Sequence, residues 1–242
     1  MDDVSQDTIS ANGIRQHYRY AGSGPPVILL HGFPETGYAW RFQIPELARR
    51  YRVIAPDLRG YGDTDKPSTG YDKRTMANDI VRLAEALGIG RFVLVGHDRG
   101  ARVATRLVKD HPELVDRLVV MDNVPTRIVA REMNAQSARE YWFFLFHQVA
   151  NLPEALLAGR EEIWLRHFFS DWCHDPQSIS DEAIATYVKA YAADYCGTPA
   201  LHNASREQVE AFINHLTERA TKDRAALLCH LNSFAKPQEV TS

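Results

Sequence analysis

The residues best placed to do chemistry lie in the stretch LVGHDRGARVATRL, residues 94–107. An apolar run enters a turn bracketed by Gly96 and Gly100, and a helical pattern follows. A strand–turn–helix corner of the form G-x-D-x-G strains the backbone of its central residue. The residues two before and two after must therefore be small. Enzymes mount a nucleophile at such corners, yet the central residue here is Asp98 rather than Ser or Cys. The corner sets Asp98 at the N-terminus of the next helix, where the helix dipole favours an anion. The same placement also suits a plain N-cap, so the turn by itself leaves two readings open. As a nucleophile, a carboxylate oxygen attacking saturated carbon leaves an ester, which water can hydrolyse at its carbonyl. A serine would leave an ether, which cannot be broken that way.

Arg99 and Arg102 stand just behind Asp98, three residues apart, and share one helix face. A guanidinium offers a planar fork of donors that fits a carboxylate. Arg102 could equally be a surface helix residue or a structural partner of Asp98. Upstream, HGFPETGYAW (31–40) ends an apolar run, and its Phe33 N–H could face that of Arg99 across an oxyanion or anion site. A third segment, DLRGYGDTDKP (57–67), is a Gly-rich loop with no catalytic assignment.

These loops need strands and helices to hold them. PPVILLHG, RVIAPDL, RFVLVGH and RLVVMDNVP are short runs rich in Val, Ile and Leu that stop at turn residues. Such runs suit strands buried on both faces, as in a parallel sheet. Between them, YDKRTMANDIVRLAEALGI sets Met76, Ile80, Leu83, Ala84 and Leu87 on one stripe of a helix. ARVATRLVKDHPELV starts as a helix and ends near Pro112. Strands alternating with helices predict a doubly wound α/β fold. From about residue 126 the texture becomes aromatic and helical, and SDEAIATYVKAYAA opens with Ser180 as a plausible N-cap. A further helix is predicted over 205–231, with Ser205 and Gln208 as a capping box. The expected division is an α/β core over 1–126, a helical cap over 127–195 and a divergent helical tail over 196–242.

Composition fits this picture. The 242 residues are 45% hydrophobic and 24% charged, with a formal net charge of −3. Nothing in that balance points to a nucleic-acid partner. No apolar run is long enough for a membrane span, and the acidic, polar N-terminus is not a signal peptide. Three cysteines, an odd number without CxxC spacing, argue against a disulfide framework and against a zinc site. The expectation is a cytoplasmic protein that takes a small-molecule substrate, needs no cofactor or metal, and is compatible with a homodimer.

HGFP, DLRGYGDTDKP and GHDRG, in this order and spacing, resemble the α/β-hydrolase superfamily over residues 10–192. More narrowly, they resemble its Asp-nucleophile branch, the epoxide hydrolases and the haloalkane and haloacetate dehalogenases. The resemblance implies that Asp98 opens an epoxide or displaces halide, and that Asp122, at the end of RLVVMDNVP, orients a catalytic His. It also implies that Arg99 and Arg102 bind a substrate carboxylate. In the cap, haloacetate dehalogenases carry a His-Trp pair where this chain has Phe143 and Phe144, so Trp142 or His147 would have to stand in. Both also read as packing residues of an aromatic stripe. Tyr195, in ADYCG, is the candidate for a cap tyrosine that protonates an epoxide oxygen, with Tyr187 and Tyr191 nearby. The family's general base, usually a Gly-His near the end, has no counterpart in sequence. His202, His215 and His230 lack its surroundings. The alternative expectation is thus a catalytically incomplete hydrolase-fold protein, or a truncated chain.

Overall fold

The computed structural model describes residues 4–123, 134–147, 149 and 151–192. Six strands form one sheet: β1 (Ser5–Ala11), β2 (Ile14–Ala21), β3 (Pro26–Leu30), β4 (Arg52–Pro56), β5 (Phe92–His97) and β6 (Val115–Met121). Their spatial order is β1-β2-β4-β3-β5-β6. The four predicted strands run parallel to one another, β4 and β5 flanking β3 and β6 outside β5. β1 and β2 add an antiparallel hairpin that the apolar-run pattern did not reveal.

The central strands show why continuous apolar runs were needed. Side chains alternate across a strand, so a strand covered on both faces must be apolar at every position. Ile28 and Leu30 of β3, with Ile54 of β4 and Leu94 of β5, join a cluster on one face of the sheet. Val27, Leu29, Val53 and Ala55 join a second cluster on the other. Helices α2 (Lys73–Ala86) and α3 (Arg99–Asp110) supply the first cluster, and α1 (Gln43–Ala48) supplies the second. β6 departs from expectation: Leu118, Val119, Val120 and Met121 are 36–44% exposed. Among the described residues β6 is the outer strand of the sheet, so nothing there covers its far side.

After β6 the described chain is helical: α4 (Ala135–Glu140), α5 (Trp142–Phe146), α6 (Leu152–Leu157), α7 (Glu161–Trp172) and α8 (Asp181–Ala192). Ser180 caps α8 as its sequence predicts, its Oγ accepting the Ala183 N–H at 3.2 Å. The predicted 205–231 helix and Tyr195 lie outside the described residues. No helix among the described residues is long and apolar enough to cross a membrane.

Candidate active site

The corner after β5 forms as its sequence requires. Asp98 has φ 42 and ψ −106, a backbone conformation that is strained for any residue but glycine. It is held there by close backbone crossings on both sides. A Cβ on Gly96 would meet the Gly100 carbonyl oxygen at 2.6 Å, and one on Gly100 would meet the Leu30 oxygen at 2.4 Å. Only glycine lets β5, α3 and the end of β3 approach so closely.

The two readings of Asp98 separate at this point. Asp98 occupies the N-cap position of α3, but its side chain makes no capping hydrogen bond. Its carboxylate turns to the β3 loop instead, where Oδ2 accepts the Phe33 N–H at 3.0 Å. The Phe33–Pro34 peptide bond is cis. The loop is braced from behind by His31, fully buried, whose Nε2 accepts the Leu58 N–H at 3.0 Å. Burial lowers the His31 pKa and keeps this acceptor neutral.

Asp98 faces a pocket of about 700 Å³. Phe33, Arg99, Arg102 and Asp122 line it too, so five of the residues singled out in sequence come together. Arg102 is no surface residue. Its Nε donates to Asn123 Oδ1 at 3.3 Å, and its guanidinium lies 5.2 Å from the centre of the Phe144 ring. Burial, and then the neighbouring Arg99, lower its pKa, while the Asp98 charge opposes them. Arg99 is 7% exposed, with its guanidinium 6.0 Å from the Tyr61 ring centre. Asp122 also has a left-handed backbone, φ 45, and its side chain is 88% exposed.

The opposite wall is aromatic. Phe143, Phe144, Phe168 and Trp172 from α5 and α7 line the pocket beside Phe33. The Phe168 and Trp172 ring centres lie 4.4 Å apart, and those of Phe143 and Trp172 lie 5.0 Å apart. Neither Trp142 nor His147, the expected stand-ins for a polar pair, is on this wall. Trp142 packs against Phe146, Trp164, His167 and Phe168. His147, fully buried, stands edge-on to Phe33 at 5.8 Å and to Trp164 at 5.1 Å. The physical reason is the helix stripe: the aromatic neighbours that mark these residues hold both rings off the wall, His147 buried and Trp142 39% exposed. Tyr187 and Tyr191 are buried at 2% exposure away from the pocket wall.

Tyr141, His97 and Glu35 are among the wall residues that received no role in sequence. Tyr141 is the tyrosine that lines the pocket. His97 and Glu35 line it as well, joined by a 3.1 Å contact between His97 Nδ1 and Glu35 Oε2. His97 lies in the GHDRG motif and Glu35 in the HGFPETGYAW segment, directly after HGFP. The available signal was a titratable residue next to the nucleophile. The bond to Glu35 raises the His97 pKa against the opposing pull of burial. Burial works against the charged form of Glu35, yet the His97 bond outweighs it and holds the carboxyl below its ordinary value.

Metal-ligating side chains also converge elsewhere. His17, Asp57 and Asp63 bring ligand atoms within 4.8 Å of one another. Asp57 is already committed there: it pairs with His17 at 2.8 Å and accepts the N–H groups of Gly37 at 2.7 Å and Asp63 at 3.0 Å. This cluster braces β2 against the 57–64 loop.

A parallel sheet, a carboxylate at the corner after β5 and a backbone donor opposite it together define an α/β hydrolase. Residues 25–194 match the family model described as alpha/beta hydrolase fold, and the chain belongs to that family. Over 192 residues it is 40% identical to the soluble epoxide hydrolase of Corynebacterium sp. (strain C12), covering 77% of this chain and 67% of that protein. It is also 40% identical to the fluoroacetate dehalogenase of Burkholderia sp. over 157 residues, covering 62% of this chain and 52% of that protein. This chain therefore spans about half the length of that dehalogenase. Among solved structures, the epoxide hydrolase CorEH without ligand superposes with a TM-score of 0.76 at 35% identity, covering 85% of this chain and 75% of that one.

Proposed function

We propose that this chain is a hydrolase that forms an alkyl-enzyme ester on Asp98, opening small epoxides or displacing halide from small substrates such as haloacetates. One observation carries the proposal. Asp98 holds the N-cap position yet leaves the helix uncapped and directs its carboxylate to the Phe33 N–H at the pocket. A capping aspartate would not do this.

In the first step a carboxylate oxygen bonds to saturated carbon. The C–O bond of the epoxide breaks with its electron pair leaving on oxygen, or the C–halogen bond breaks with halide leaving. The alkoxide of an opened epoxide takes a proton, and Tyr141 is the pocket tyrosine suited to supply it. In the second step water adds to the ester carbonyl, and the Phe33 N–H is placed to hold the oxyanion that develops. Collapse of that oxyanion releases the alcohol and restores the carboxylate. Asp122 orients the group that activates the water. The histidine candidates for that group, His202, His215 and His230, lie outside the described residues.

Relatives of both names support the reading, since an epoxide hydrolase and a fluoroacetate dehalogenase each match this chain at 40% identity. Arg99 and Arg102 favour an anionic substrate, while the aromatic wall favours an apolar one. Incubation with styrene oxide and, separately, with bromoacetate tests the proposal. Intact mass and peptide mapping should place the adduct on Asp98, and Asp98→Asn should abolish it. Release of diol or halide over many turnovers marks a complete catalyst. A stable adduct without turnover marks a chain that carries out only the first step. Folded protein that gives neither turnover nor an adduct on Asp98 with either reagent sinks the proposal.

A further inference from the structure

One charged contact in the pocket is left unused by the chemistry above. His97 ends β5 and directly precedes Asp98. Its Nδ1 lies 3.1 Å from Glu35 Oε2, and its Nε2 lies 3.6 Å from Asp122 Oδ2. The same Glu35 oxygen accepts the Gly32 N–H at 3.1 Å. The next N–H along that loop, of Phe33, is the one that rests on Asp98. The loop after β3, the corner after β5 and the end of β6 thus meet at one imidazole. Both ring nitrogens face carboxylates, and a neutral imidazole carries only one N–H. Only the protonated ring can donate to Glu35 and at the same time present positive charge, rather than a lone pair, to Asp122.

We propose that His97, as an imidazolium held between Glu35 and Asp122, is a positioning residue that clamps the Phe33 N–H onto Asp98 and fixes Asp122 beside the corner. The proposal rests on the reading of Asp98 as nucleophile. The groups that set the charge of the ring are Glu35 and His31 from the β3 loop, Asp98 beside it and Asp122 from the end of β6. Glu140 and Asp171 share the pocket from the helical side, and Arg99 and Arg102 oppose these carboxylates from α3. The acidic groups are nearest, and Glu35 is in direct contact, so the charged ring is favoured against the opposing pull of burial. Loss of its proton takes the charge out of the contact with Glu35 and releases Asp122, which loosens the loop that carries Phe33.

Three measurements on the full chain test this. By NMR, the His97 ring should titrate above the ordinary histidine range, and Glu35→Gln should bring it down. By amide exchange, the Phe33 N–H should lose protection as pH rises through that titration, and at every pH in His97→Gln. By mass spectrometry, alkylation of Asp98 by styrene oxide should slow by roughly tenfold in His97→Gln and in Glu35→Gln. His97→Gln should also lose the decline in rate that the parent protein shows at alkaline pH. An unmoved titration in Glu35→Gln, unchanged Phe33 protection in His97→Gln, or undiminished alkylation in both variants each overturns the proposal. If circular dichroism shows that His97→Gln does not fold, Glu35→Gln carries the same three readouts. If the parent protein shows neither an adduct on Asp98 nor turnover, the nucleophile reading fails, while the titration and the exchange still decide whether the clamp exists.

Discussion

At the scale of single residues, the pocket sets two arginines against an aromatic wall, and their contributions can be separated. Arg102 is anchored by Asn123 and lies over the Phe144 ring, so its guanidinium cannot retreat into solvent. Arg102→Leu should slow reaction with bromoacetate by roughly tenfold or more while leaving styrene oxide within a factor of a few. Equal losses on both substrates would show that Arg102 supports structure rather than choosing the substrate. Asp122 poses a different question. Its left-handed backbone is a conformation that glycine adopts freely, and its side chain is 88% exposed, so packing gives no reason for a carboxylate there. Relief of strain and the extra freedom of an unfolded glycine oppose each other. Asp122→Gly should therefore leave stability unchanged or higher by up to about 1 kcal/mol in urea unfolding. A clear destabilisation would mean that the carboxylate is structural.

At the scale of elements, the corner depends on how closely β3, β5 and α3 approach. Gly100→Ala would push a methyl group into the carbonyls of Leu30 and His31, at 2.4 and 2.6 Å, where no flexible side chain can yield. A loss of about 2–3 kcal/mol or more is expected by denaturant unfolding, with Asp98 alkylation falling alongside. The corner was legible in sequence because its chemistry demands small residues at fixed spacing. The first hairpin was not, although Asn12-Gly13 supplies the positive φ values, 54 and 74, of a two-residue hairpin turn. Its alternation is masked by buried polar residues. Gln16 is 1% exposed and donates to the carbonyls of Ala11 and Asp79, and His17 is paired with Asp57. The aromatic stripe misled in the opposite direction. A helix pattern places Trp142 and His147 on a face, but which rings pack over that face depends on α7, far along the chain. The burial of β6 was likewise a property of its neighbours rather than of its own apolar run.

At the scale of the whole molecule, the links among β3, β5 and β6 make stability depend on pH in a defined sense. The folded state raises the His97 pKa, so its contribution is complete below the ordinary histidine value of about 6.5 and is lost as pH rises through the raised one. The folded state lowers the Glu35 pKa, so its contribution is present above the ordinary carboxylate value of about 4.5 and is lost as pH falls through the lowered one. The pair should therefore stabilise most between about pH 4.5 and 6.5. Urea unfolding should show a decline on the alkaline side that Glu35→Gln flattens. An equal alkaline decline in that variant would assign the effect to other groups.

The outer strand of the sheet among the described residues, β6, carries a practical consequence for the protein in solution. β6 presents Leu118, Val119, Val120 and Met121 at 36–44% exposure, in a short run rich in β-branched residues and free of proline. Such a run on an outer strand invites chains to stack on one another, and charge is the usual remedy. Concentrated samples should scatter light increasingly over time and bind amyloid-sensitive dyes at elevated temperature. Val120→Lys should suppress both without altering the far-ultraviolet circular dichroism. Handling at low concentration is then a condition for measuring adduct formation or turnover on dispersed protein.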